Sequence, residues 1–350
     1  MNIESRFKTY SVDFVTDLTL ANLINDETVY FVIDKNVYTL YESKWPVFRK
    51  ERLYLLDALE QNKTMDIVLS ICEKMTDIAS KRNTCLVSIG GGIVQDITGF
   101  VANILYRGIK WLFFPSTLLA ACDSCIGGKT SLNYKGFKNL LGTFYPPDEI
   151  KIYPEFFKTL SQKDFASGLG EVVKFNVMAG KNGIDNIEKN ICKLIERDNP
   201  TITSFVRNSL EFKKSFIEED EFDKGKRILL NYAHTFGHAF EVSSNYGIPH
   251  GSAVALGMIV ANTVSVNRGL LDSTFAKRIE DVCKKILPVR FDAQWFDKDI
   301  IITAIKKDKK QVNDTIRAIL LHDDLSLDMY TDIEEREIVS ALEKLQTVLP

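Results

Sequence analysis

The sequence predicts a Rossmann-like α/β domain over residues 1–155, followed by a mostly α-helical domain over residues 156–350. Three observations carry this. The chain has 350 residues, about two domains' worth. In its first half short apolar runs alternate with helical spacings, and beyond about residue 155 the helical spacings take over.

The first run, Thr28–Asp34, is rich in β-branched and aromatic residues and reads as a buried strand ending at an acid. From Asp66 to Ser80 the residues Ile67, Ile71, Met75 and Ile78 fall on one helical face. Thr84–Ile89 is a second strand, running directly into Gly90-Gly91-Gly92. A helix is expected from Asp96 to Leu105, and a third strand over Trp111–Phe114, closed by Pro115. Strand, helix, strand, helix, strand implies parallel pairing, with ligands at the carboxyl ends of the strands. Tyr145-Pro146-Pro147-Asp148 breaks regular structure on the way into the second half. There, helices are expected over Ile184–Glu196, Ser204–Glu219, Ala253–Val266 and Ala276–Ile286.

Composition narrows the function. Forty-four Lys and Arg stand against 47 Asp and Glu, a formal charge of −3, which excludes a chain-wide basic footprint for nucleic acid. No apolar run reaches the ~18 residues of a membrane span, and the first residues lack the basic-then-apolar order of a signal peptide. A cytoplasmic protein with neither nucleic-acid nor membrane partners is expected. Six cysteines are too few for a disulfide scaffold, and Cys122-Asp-Ser-Cys125 reads as small thiols in a turn.

Four features carry chemistry. Glycines at a strand-to-helix turn let backbone N–H groups approach a pyrophosphate, so Gly90–Gly92, though not the spaced GxGxxG pattern, reads either as a nucleotide site, with Asp34 able to accept from a ribose, or as a tight turn with no ligand. Of the four histidines, His234 and His238 are spaced i, i+4 and His250 follows twelve residues later. Imidazole is the commonest zinc ligand, and two histidines with one carboxylate leave a position for substrate. The spacing leaves His238 and His250 both open as the second ligand. Gly127-Gly128-Lys129-Thr130 resembles the end of a P-loop, but Asp123 stands where that motif needs glycine. What remains, with Lys138-Asn139, is a loop suited to gripping phosphate. Finally, Arg227, Asn231, His234 and His238 have spacings of four, three and four, which stacks them on one stripe of an expected helix.

Ser88–Asp96, Tyr106-Arg107-Gly108, Pro115–Ala120, Asp123–Thr130, Lys138-Asn139, Gly168–Lys174, Asn231–His238, Pro249-His250-Gly251 and Asp308-Lys309-Lys310 together resemble the 3-dehydroquinate synthase family, within the sugar phosphate cyclases. The motifs run in order over nearly the whole chain. The resemblance implies zinc, with cobalt as a substitute, on Glu171, His234 and His250. It implies NAD along Asp34, Lys35, Asn36, Glu60, Lys63, Gly91, Gly92, Ile93 and Asp96, completed by Ser116, Thr117, Lys138, Phe156, Phe157, Lys158 and Thr159. The phosphate of a phosphorylated sugar acid would meet Lys129, Asn139, Asn231, His238 and one of Lys309 and Lys310. Arg107 would reach it from the neighbouring subunit of a homodimer. Lys213 and Arg227 would hold the substrate carboxylate, and Asp123 and Lys174 its hydroxyls. Among these, His238, Asn231, Lys129, Lys174, Asp123 and Arg227 would carry catalysis.

The implied reaction, a step of the shikimate pathway leading to aromatic amino acids, oxidises a secondary alcohol of 3-deoxy-D-arabino-heptulosonate 7-phosphate, eliminates phosphate, returns the hydride and closes a carbocycle by aldol addition. NAD is recycled. The alternatives are a related cyclase acting on sedoheptulose 7-phosphate or another ketose or aldose phosphate, and a metal-dependent polyol dehydrogenase. Retention of both Lys213 and Arg227 favours the acidic substrate, since buried cations are costly without an anion. The chain departs from the family pattern at Asp223 for Glu, Gly170 for Ala, Gln95 for a small residue and Ser116 for Thr.

Overall fold

The computed structural model describes residues 1–78, 82–287, 291–307 and 316–349. They group into two compact units, residues 1–159 with 214–222, and residues 160–213 with 223–350.

In the first unit the expected alternation becomes a seven-stranded sheet. Its strands are β1 (Asn2–Ile3), β2 (Tyr10–Phe14), β3 (Val29–Asp34), β4 (Leu53–Leu56), β5 (Cys85–Gly90) and β6 (Lys110–Pro115), with β9 (Glu149–Ile152) arriving after a separate hairpin, β7 (Lys129–Tyr134) and β8 (Phe137–Phe144). The order is β1-β2-β9-β6-β5-β3-β4. Every pairing is parallel except that of β1 with β2. The central strands are buried along nearly their whole length, as continuous apolar runs in parallel sheets are. Helices α1 (Leu20–Asn25), α2 (Lys35–Tyr41), α3 (Met65–Asp77) and α4 (Gly92–Ile104) connect the strands. In register, Gly90 lies opposite Pro115 and Ile89 opposite Ile33, so the carboxyl ends of β3, β5 and β6 come together.

The second unit contains α5 (Gln162–Met178), α6 (Lys181–Ile195), most of α7 (Asn199–Glu219), α8 (His234–Ser243), α9 (His250–Asn267), α10 (Ser273–Ile286), α11 (Lys298–Lys307), the hairpin β10 (Ile316–Leu321) and β11 (Leu327–Ile333), and α12 (Glu335–Val348). Helix α9 is its axis. Residues Gly251–Ser265 are all buried, and α5, α8, α10 and α12 pack around it. A helix apolar on every side belongs in a core rather than at a surface.

Two close backbone approaches shape this unit. A Cβ on Gly170 of α5 would lie 2.0 Å from the carbonyl oxygen of Gly251 on α9, and one on Gly257 would lie 2.3 Å from that of Ala233. Only glycine allows helices this close.

One expected element is corrected. Arg227, Asn231, His234 and His238 do not share a helical stripe. Lys226–Asn231 is a 3₁₀ turn, Ala233 takes a left-handed conformation (φ +69°), and α8 begins at His234. The reversal at Ala233 ends one helical path and opens another.

Candidate functional site

In the second unit, Glu171 comes from the buried middle of α5, His234 from the first turn of α8 and His250 from the first turn of α9. Glu171 Oε1 lies 3.3 Å from His234 Nε2 and 3.1 Å from His250 Nε2. The three donor atoms lie within 4.8 Å of one another. The opposite ring nitrogens are held too. His234 Nδ1 faces the Tyr232 carbonyl at 3.1 Å and His250 Nδ1 faces Glu241 Oε1 at 3.1 Å. An Nδ1 facing an acceptor carries the proton, so the His234 Nε2 lone pair is aimed at a carboxylate oxygen. With that tautomer two acceptors face each other, an arrangement that a shared cation relieves. The donors therefore fit a divalent metal such as zinc, held by two imidazoles and one carboxylate.

The electrostatics agree. Burial raises the Glu171 carboxyl, but Lys174, Nζ 2.7 Å from Oε2, and then His234 outweigh it and hold it well below the usual carboxylate range. Burial and the Lys174 charge push His234 down to about 4, leaving it neutral as a ligand must be. Burial works against charge on His250 as well, but hydrogen bonds to Glu171 and Glu241 push it up to about 10.

Around this centre, His238 sits one turn beyond His234, ring centroids 5.3 Å apart, and 6.5 Å from the ring of His250. Buried Lys174 also donates to the Leu230 carbonyl (2.9 Å). Asn231 Nδ2 donates to the Ile228 carbonyl (2.9 Å). Arg227 and Lys213 are buried cations. Lys309 and Lys310 lie outside the described residues.

In the first unit, the nucleotide candidates line up along the carboxyl ends of the strands. Asp34 ends β3 and caps α2, Oδ1 accepting from the Asn36 N–H at 2.8 Å, with Lys35 beside it. Gly91 caps α4, and Gly92 and Ile93 open it. A Cβ on Gly91 would crowd the Thr117 methyl at 2.9 Å. Ser116 follows β6 and donates its N–H to the Gly90 carbonyl (2.8 Å). Phe156 and Phe157 are core residues, whereas Lys158 and Thr159 are exposed in the same turn. Asp96, Glu60, Lys63 and Asn139 meet in one hydrogen-bonded network with the hairpin. Lys138 and Lys129 are exposed on that hairpin. The glycines before Lys129 have φ +97° and +65° and lead into a strand, not the helix a P-loop requires. Half-buried Asp123 sits in a single π-helical turn, Ala120–Ser124, clamped by Gln95, whose Nε2 donates to the Ser124 carbonyl (2.6 Å) while Ser124 Oγ donates to its Oε1 (2.7 Å). Cys122 and Cys125 are buried and unlinked. Arg107 is exposed, in a left-handed conformation before Gly108.

Sequence reasoning missed Glu241, Ser131 and Asn133. Glu241 had a signal, since it falls seven residues after His234 and three after His238 on one helical face. The other two had none, because they act through partners remote in sequence.

A mostly parallel α/β sheet in one unit and a two-histidine, one-carboxylate donor set in the other define a class, that of α/β proteins with a candidate divalent-metal centre. Two segments match one family within it, residues 53–167 the N-terminal part of 3-dehydroquinate synthase and residues 168–311 its C-terminal part. The chain is 35% identical over 325 residues to the 3-dehydroquinate synthase of Clostridium tetani, covering 91% of this chain and 86% of that one. It is 33% identical over 348 residues to that of Dictyoglomus thermophilum, covering 98% and 97%. The structure of 2-epi-5-epi-valiolone synthase from Streptomyces hygroscopicus subsp. jinggangensis, with NAD+ and Zn2+ bound, matches with a TM-score of 0.83 at 25% identity over 98% of both chains. The chain belongs to the 3-dehydroquinate synthase family.

Proposed function

We propose that the chain is a phosphate-eliminating lyase, converting 3-deoxy-D-arabino-heptulosonate 7-phosphate to 3-dehydroquinate with bound NAD and zinc. The observation that carries this reading is the converging donor set of Glu171, His234 and His250 in a chain 35% identical to a 3-dehydroquinate synthase over 91% of its length. Residues 1–155 serve as the NAD-binding domain and 156–350 as the metal- and substrate-binding domain. The enzyme works in the cytoplasm, where its six cysteines stay reduced, as a homodimer in which exposed Arg107 reaches the neighbouring site.

When bound, zinc supplies Lewis-acid polarisation of a secondary hydroxyl, and NAD a hydride acceptor that is restored within the cycle. The chain's own residues do the rest. NAD lies along Asp34, Lys35, Asn36 and the α4 N-terminus, where Gly91, Gly92 and Ile93 present backbone N–H groups. Glu60, Lys63, Asp96, Ser116, Thr117, Lys138 and the Phe156–Thr159 turn complete its pocket. Lys129, Asn139, Asn231 and His238, with one of Lys309 and Lys310, grip the phosphate as charged or neutral donors. Arg227 and Lys213 take the substrate carboxylate; their burial strengthens that attraction. Asp123 and Lys174 orient hydroxyls, and His238 with Asn231 holds protons near the ring oxygen and the leaving phosphate. Positioning of one substrate through several steps demands fixed groups more than many bases.

The test incubates purified protein with zinc, catalytic NAD and the heptulosonate phosphate, following inorganic phosphate and product mass together. Phosphate release, a product of dehydroquinate mass and no net NADH are expected. Release from sedoheptulose 7-phosphate alone moves the chain to a related cyclase; stoichiometric NADH without phosphate indicates a polyol dehydrogenase.

A further inference from the structure

The buried Lys63 ammonium lies 2.5 Å from Asn139 Oδ1, 3.0 Å from Asp96 Oδ2 and 3.4 Å from Ser131 Oγ. An ammonium only donates, so the amide atom facing it is the carbonyl oxygen, and Asn139 Nδ2 points the other way. That NH2 makes no hydrogen bond to a described residue. The Asn139 backbone is fixed as well. It holds φ +53°, in the left-handed region that Asn tolerates better than most L residues. Its N–H donates to Asn133 Oδ1 at 2.9 Å.

Asn133 is tied on two further sides. Its N–H donates to the Lys63 carbonyl (2.8 Å), and its Nδ2 donates to the carbonyl (3.0 Å) and Oε1 (2.8 Å) of Glu60. It sits at the irregularity in the β7–β8 register between Leu132 and Tyr134, and such bulges re-aim side chains. Ser131 bonds Asp96 through both its N–H (3.1 Å) and Oγ (2.9 Å), and its Oγ lies 2.9 Å from Asn139 Oδ1.

We propose that Asn133 and Lys63 are positioning residues that fix Asn139 with its side-chain NH2 outward, as a neutral donor to an anionic phosphate oxygen of the substrate. The proposal rests on the functional reading above, in which Asn139 meets the phosphate. Lys63 then has a task beyond its place in the NAD pocket: it chooses which end of a neighbouring amide faces the ligand.

Two replacements at position 139 separate the orientations. Asn139→Asp keeps an oxygen towards Lys63 but turns the outward donor into a carboxylate oxygen; Asn139→Ala only removes it. In zinc- and NAD-loaded enzyme, KM for the phosphorylated substrate and Kd for inorganic phosphate by calorimetry are expected to rise about tenfold in the Ala variant, and further in the Asp variant. An Asp variant that binds as well as or better than the Ala variant overturns the orientation. The positioning role is tested by a double-mutant cycle. Asn133→Ala alone weakens phosphate binding about tenfold and adds nothing in the Asn139→Ala background; additive losses overturn it. Should Asn133→Ala not fold, Asn133→Asp, which keeps the acceptor for the Asn139 N–H but loses the donor to Glu60, replaces it in the cycle. Wild-type enzyme that neither turns over nor binds phosphate overturns the functional reading, and the proposal with it.

Discussion

Ala233 shows how one backbone angle builds a donor centre. Its left-handed turn stops the Lys226–Asn231 helical path and starts α8 at His234, while the Tyr232 carbonyl two residues back faces the His234 ring. A β-branched side chain is poorly tolerated at such a φ; Ala233→Val is expected to destabilise the fold by about 2 kcal/mol, read from a urea midpoint. Glu241 does for His250 what that carbonyl does for His234. Glu241→Ala is expected to lower zinc affinity about 10- to 100-fold with the fold intact, measured by competition with a chromophoric chelator, whereas His250→Ala removes a donor and abolishes stoichiometric binding. Unchanged affinity in Glu241→Ala would refute the role given to that carboxylate. Gln95, bonded twice to Ser124, fixes the turn that carries Asp123. Such mutual bonding gives a physical reason for a long polar side chain where the family pattern has a small one.

At the scale of elements, the crossing of α5 and α9 decides how near Glu171 comes to His250, since each stands next to one of the touching glycines, Gly170 and Gly251. A methyl at position 170 meets a carbonyl oxygen that belongs to the helix itself, so no side chain can swing aside. Gly170→Val, larger than the Ala of the family pattern, is expected to cost about 1–3 kcal/mol by overpacking, lower the melting temperature and weaken metal binding together. Loss of stability with full metal affinity would separate the crossing from the centre. Elsewhere in this unit, Arg268 forks onto Glu337 at 2.7 and 2.8 Å and reaches Asp332, tying the end of α9 to α12. The Arg268 hydrogen bond holds the Glu337 carboxyl below its usual range. A carboxyl lowered in the folded state contributes stability above its unfolded value, about 4.5, and loses it as pH falls through the native value. Glu337→Gln is therefore expected to lower the urea midpoint at pH 7, with the gap closing as pH drops below that range; a gap independent of pH would refute the linkage.

For the whole molecule, the parallel sheet was the most legible part. Strands β3, β5 and β6 are continuous apolar runs, and the structure places all their ends within one residue of the expected bounds. The short strands β2, β4 and β9, with mixed burial, carry no such signal. The β7–β8 hairpin was hidden because most of β8 is exposed and its alternation is weak. Motif resemblance points to Glu171, His234 and His250 as the donors, yet spacing alone leaves His238 and His250 both open. The choice depends on the break at Ala233, which no periodicity encodes. The Lys63–Asn139 contact spans 76 residues of sequence, beyond any local pattern. If the reading holds, NAD at about a hundred times its Kd stabilises the protein by about 2.7 kcal/mol, seen as a concentration-dependent rise in melting temperature that an unrelated nucleotide does not reproduce.

The donor atoms of Glu171 and His250 come from residues 79 apart, on helices that must cross at two glycines before those atoms can meet. The ion therefore cannot seed folding, because the closure it would need costs chain entropy that only docked helices repay. On the ribosome, His250, the last of the three donors in the sequence, must emerge before the site exists. In refolding, cobalt absorption should appear with tertiary assembly rather than with helix formation, making metal capture a clock for the last packing step.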